Sequence, residues 1–98
     1  MSRDETIAVL RAHAHELRSW GIIRLALFGS NLRGDEHPDS DVDLLVDLDK
    51  RRELSLIDIA ELRLRLSDIL GRQVDLVQRD LLKTHLRDAI VTEARDVL

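Results

Sequence analysis

The sequence predicts a small α/β (α+β) domain, a mixed β-sheet with helices in the order α-β-β-α-β-α. Three observations carry that prediction. Two short apolar runs, Ile22–Phe28 and Val42–Leu48, are bounded by turn residues and hold the apolar and β-branched side chains that suit a pleated surface. Amphipathic stretches at helical spacing precede, separate and follow strand patterns. The 98-residue length gives one modest core, so residues 1–98 read as a single domain with no second, substrate-binding unit.

The elements follow in order. Ile7, Leu10, Ala14 and Leu17 recur at helical spacing up to Gly21, which predicts a first helix over about residues 4–19. Ile22–Phe28, closed by Gly29, is a largely buried strand. A polar loop with Gly34, Pro38 and several acids leads to the second strand, which carries Asp41 and Asp43 at its start. Ser55 with Asp58 three positions on is a variant capping box, and Leu56, Ile59, Ala60, Leu64, Leu66 and Leu70 continue a helix to Gly71. Residues 74–77 form a short third strand. Asp80 then caps a final helix whose Leu82, Leu86, Ala89, Ile90, Ala94 and Val97 face inward.

Composition narrows the function. A net charge of −4 and a pI near 5.5 speak against a nucleic-acid binder, which needs a clustered basic face. With no cysteine, neither a disulfide framework nor a thiolate metal site can form, which is compatible with a reducing, cytoplasmic setting. No apolar stretch has the length and continuity of a signal peptide or membrane span.

The chemistry lies in one frame: Gly29-Ser30, ten intervening residues, then Asp41-Val42-Asp43. If the first two strands pair antiparallel, the end of one lies beside the start of the next. A right-handed crossover through the central helix returns the chain to a third strand parallel to the second, so Asp75 arrives at the same rim. Asp41 and Asp43 share a face because side chains alternate along a strand, with Val42 turned into the core. Three gathered carboxylates oppose one another's ionisation, and a cation offsets that repulsion. Magnesium suits them: it takes one or two carboxylates and completes its shell with water and phosphate oxygens. Two ions would serve an in-line displacement, with Asp41 and Asp43 bridging both and Asp75 beside the incoming hydroxyl as ligand or general base. Gly29 permits close approach of backbone to phosphate, and Ser30 offers a hydroxyl and an N–H.

Residues 27–34, Leu-Phe-Gly-Ser-Asn-Leu-Arg-Gly, and residues 40–46, Ser-Asp-Val-Asp-Leu-Leu-Val, resemble the signature of the DNA polymerase β nucleotidyltransferase superfamily, and more narrowly its minimal nucleotidyltransferase branch. The similarity covers about residues 5–98 and includes the third acid, Asp75. It implies a palm-like mixed sheet, magnesium-dependent transfer of AMP from ATP, a role as antitoxin to a HEPN-domain toxin, and a tyrosine of that toxin as the acceptor. By the same resemblance Arg33 contacts the triphosphate. An alternative from another class is an antitoxin that neutralises its partner by binding alone. The intact acids favour the enzyme, since a module without chemistry has no need of mutually repelling carboxylates. The size of the chain points to a protein acceptor as well, because a core with no second domain must receive its acceptor from elsewhere.

Rival sites fail. His13 and His15 point to different sides of the first helix, and His37 and His85 lie in other elements. Asp39, Asp41 and Asp43 copy the start of a calcium loop, but Leu44 stands where its glycine belongs and Lys50 where its glutamate belongs. Lys50–Arg52 reads as a solvated connection, and Trp20 and Phe28 as core residues.

Overall fold

The computed structural model describes residues 2–33 and 41–98, with the side chains of Asn31 and Arg33 outside that description. A four-stranded sheet, β1 (Ile22–Phe28), β2 (Val42–Leu48), β3 (Val74–Gln78) and β4 (Arg95–Asp96), runs in the spatial order β3-β2-β1-β4. β2 is antiparallel to β1 and parallel to β3, and β4 is antiparallel to β1. The sheet is therefore mixed, as the sequence predicts.

The helices are α1 (Arg3–Ala12), α2 (Ala14–Ser19), α3 (Ser30–Arg33), α4 (Leu56–Leu70) and α5 (Thr84–Glu93). α1 begins with a capping box in which Ser2 accepts from the Glu5 N–H. α4 begins the same way at Ser55 and Asp58 and ends at Gly71, whose φ of +66° is the left-handed cap anticipated there. Its fifteen residues return the chain from the far end of β2 to the start of β3, which makes the β2–α4–β3 crossover.

One sheet face carries the core. Leu25, Leu27, Val42, Leu44, Val46 and Val74 pack beneath Ile7, Leu10 and Leu17 of the first two helices and Leu62, Leu66 and Leu70 of α4. Fully burying such side chains stabilises by roughly 1.5–3 kcal/mol each, so this face holds the domain together.

Four expectations need correction. The first helix is broken at His13 (φ −102°, ψ 13°), whose ring nitrogen meets the Val9 carbonyl at 2.8 Å. α4 turns Leu62, Leu66 and Leu70 inward, leaving Leu56 and Ile57 about four-fifths exposed and Leu64 exposed. With apolar residues on so many positions of that helix, its pattern fits more than one rotation, and packing on the sheet selects one. The final helix starts at Thr84 rather than at Asp80, has no buried residue, and leaves Leu86 48% exposed. Asp80 instead lies in a short 3-10 helix, Arg79–Leu81, and Val97 reaches the core from beyond an unforeseen β4.

Candidate active site

Alternation gives the sheet a second face with its own order. Phe28, Asp43 and Asp75 lie side by side across β1, β2 and β3; Ala26, Leu45 and Val77 form the next row, with Asp96 of β4 beside Ala26; Arg24 and Asp47 form the third, with Arg79 just past the end of β3. The acidic row sits at the end where β1 finishes and β2 and β3 begin. Ala26 and Leu45, though fully buried, stand outside the core cluster and separate the acids from the third row.

That third row is a chain of ion pairs. Arg79 donates through Nε to both Asp47 carboxylate oxygens at 3.2 and 3.0 Å, Arg24 lies 3.9 Å from Asp47, and Arg24 reaches Asp96 at 3.4 Å. The link ties β1, β2 and β4 to the segment that follows β3. Sequence reasoning missed it, although Asp47 sits four positions after Asp43 and so must share its face. Beyond this row, Arg79 and the α5 residues Arg87, Asp88, Val91 and Thr92 line an open cavity of about 360 Å³, and α5 carries the chain from the β3 edge to the β4 edge.

Each residue singled out in the sequence has a definite place. Asp43 and Asp75 are register partners on neighbouring parallel strands, so their side chains leave the sheet on one face about a strand spacing apart, roughly 4.8 Å. Asp41 is exposed, immediately before β2, and its neighbour Val42 is fully buried against Val74 on the core face. Gly29 turns the chain at the end of β1 with φ +79°, and Ser30 opens α3 directly after it. A Cβ added to Gly29 would run into the Asp43 carboxylate, with Asp43 Cγ 3.0 Å away. The Gly-Ser turn and the second acid are therefore in direct contact. The Arg33 side chain, and Asp39 in the loop, lie outside the described residues.

Among the described residues no group of three or more histidine or acidic side chains stands as a ready-made metal cage. The donor set still fits magnesium. That ion asks for hard oxygens and only one or two carboxylates, with water and phosphate filling its octahedron, and Asp43 with Asp75 or Asp41 offers such a set at a solvent-facing rim. A lone basic pocket or an apolar cavity would not; here the acids call for a counter-charge, and among the described residues no ion pair engages Asp41 or Asp75.

Comparison with known proteins gives a consistent answer. A family model described as "Nucleotidyltransferase domain" matches residues 10–97. The protein adenylyltransferase MntA of Thermococcus cleftensis is 37% identical over 94 residues, covering 95% of this chain and 93% of the relative. Among solved structures, one provisionally named a minimal nucleotidyltransferase superposes with a TM-score of 0.82 at 35% identity, covering 97% of this chain and 95% of the other. A toxin–antitoxin solved with AMP-PNP superposes at 0.69 and 27% identity, covering all of this chain and 73% of the matched one.

Proposed function

Since this chain belongs to the nucleotidyltransferase domain family, we propose that it transfers AMP from ATP, with magnesium, to a tyrosine hydroxyl of a partner HEPN toxin and so acts as that toxin's antitoxin. The observation that carries the reading is the pairing of Asp43 with Asp75 across β2 and β3, beside the Gly29-Ser30 turn. The adenylyltransferase name of the Thermococcus relative and the toxin–antitoxin solved with AMP-PNP support it.

Asp41, Asp43 and Asp75 are the residues that would hold the two magnesium ions. Bound there, the ions supply charge neutralisation of the phosphates and polarisation of the accepting hydroxyl. The chain's own residues do the rest. Gly29, lacking a side chain, lets the turn lie against both Asp43 and a phosphate, and the Ser30 hydroxyl and N–H offer donors to the triphosphate. Asp75, on the edge strand β3, takes up the acceptor's proton as the new bond from oxygen to the α-phosphorus forms and the bond to pyrophosphate breaks.

Magnesium with AMP-PNP should raise the melting temperature well above either ligand alone, because a ligand bound only by the native state stabilises it by mass action. A flat response at saturating concentrations removes the nucleotide site from the reading.

A further inference from the structure

The two edges of the sheet are treated differently. β4 is two residues long, both charged, and Arg11 covers its outer side by donating to the Val97 carbonyl at 3.0 Å and to the Asp96 carbonyl at 3.4 Å. Short, charged and capped, it is closed to further strands. β3 is five residues long and carries neither proline nor lysine, and its pairing with β2 runs through without a register shift.

The Val42 N–H donates to the Gln73 carbonyl at 2.9 Å, which sets the phase of the parallel ladder: residues 73, 75 and 77 bond inward to β2, while 74, 76 and 78 turn their backbone groups outward. Ser67 Oγ accepts the outward N–H of Val74 at 3.1 Å. That leaves the Val74 carbonyl, both backbone groups of Leu76 and the Gln78 N–H as a row without a hydrogen-bond partner among the described residues. The row flanks Asp75.

We propose that this open edge of β3 is the acceptor dock: an extended segment of the partner protein adds to the sheet by main-chain pairing along Val74, Leu76 and Gln78, which lays its hydroxyl beside Asp75. The inference rests on the transfer reaction above. Strand addition takes affinity from main-chain hydrogen bonds and specificity from alternate side chains. It also fixes the position of an acceptor: the register of the added strand does so, in steps of one residue pair.

The experiment uses a roughly eight-residue, β-branched peptide with one central tyrosine as probe, α-labelled ATP and magnesium. The Gln78 φ of −81° lies at the edge of the range proline imposes, so Gln78→Pro removes one outward N–H with little backbone adjustment while the inner ladder stays. Leu76→Pro does the same at the centre of the row. Expected are labelling of the peptide by the unaltered chain and a rise in peptide KM of about tenfold in each variant, the scale of one lost hydrogen bond. Both variants keep the melting shift with magnesium and AMP-PNP. N-methylation of alternate peptide nitrogens should block labelling in one parity only. If Leu76→Pro fails to fold, Gln78→Pro decides. Unchanged KM in a folded variant, equal effects of both methylation parities, or no labelling by a chain that shows the nucleotide shift overturns the dock. An unaltered chain without that shift fails the transfer reading itself.

Discussion

Gly29 and Asp43 meet across the turn between β1 and β2, with no room between them for even a methyl group. The two halves of the sequence frame are thus one structural unit: the position of the Asp43 carboxylate depends on the absence of a side chain at Gly29. The positive φ at Gly29 makes the same demand from the backbone, since an L-residue there costs roughly 1–2 kcal/mol.

Gly29→Ala should therefore lower stability by about 1–3 kcal/mol in chemical denaturation, combining backbone cost and collision. It should also abolish the melting shift with magnesium and AMP-PNP, because Asp43 must move. A variant with full nucleotide response would show that the contact has no part in the site.

Changing Asp41 and Asp43 together to Asn should leave the fold intact, as neither is in the core, and eliminate label transfer from ATP to the partner toxin. Neutralisation of the toxin should disappear with it. Neutralisation that survives without transfer means that binding alone carries the function.

Asp75→Asn separates roles. Transfer should fall by roughly 10²–10⁴-fold, the usual share of a positioned acid or base, while the magnesium–nucleotide melting shift persists in part. Equal loss of shift in Asp75→Asn and Asp43→Asn would place Asp75 in nucleotide binding instead.

Asp47→Ala tests the far row of the same face. It strips Arg79 of its carboxylate partner in a mostly buried position, and the loss should be about 1–3 kcal/mol with little change in nucleotide response. A loss of under ~0.5 kcal/mol would class the pair with ordinary surface bridges.

Acid sensitivity follows from the helix cap. The Ser55 N–H donating to the Asp58 carboxylate, together with the Ser55 side chain, holds this acid below its ordinary value of 3.8. Hydrogen bonds from Arg51 do the same for Asp49. A carboxyl lowered on folding stabilises above its unfolded value and loses that contribution as pH falls through the folded one, so stability should drop as pH falls below about 4. Asp58→Asn keeps an acceptor but no charge, and its acid limb should be shallower in a pH series of melting curves. Superimposable limbs would contradict this.

The strands and α4 were legible because their signals are local: apolar runs between glycines, and a Ser-Asp cap with a closing glycine. The adjacency of Asp43 and Asp75 was legible too, from the right-handed crossover and strand alternation. What escaped depends on distant partners. Nothing near Arg95–Asp96 announces a strand; the pairing with β1 makes one. The break at His13, the rotation of α4 and the exposure of α5 are decided by packing, which a periodic pattern constrains only loosely. The Arg24–Asp47–Arg79 chain needed the register of three strands before its members could be seen as neighbours.

β2 alternates between duties, with Val42, Leu44 and Val46 held in the interior and Asp43 and Asp47 on the chemical side. Adding or removing one amino acid within it would exchange the two sets, immersing carboxylates in oil and presenting leucines to a nucleotide. Homologues should consequently differ in length before Asp41 or after Leu48 and never between them, so an aligned gap inside that stretch marks a sequence that has given up either this fold or this reaction.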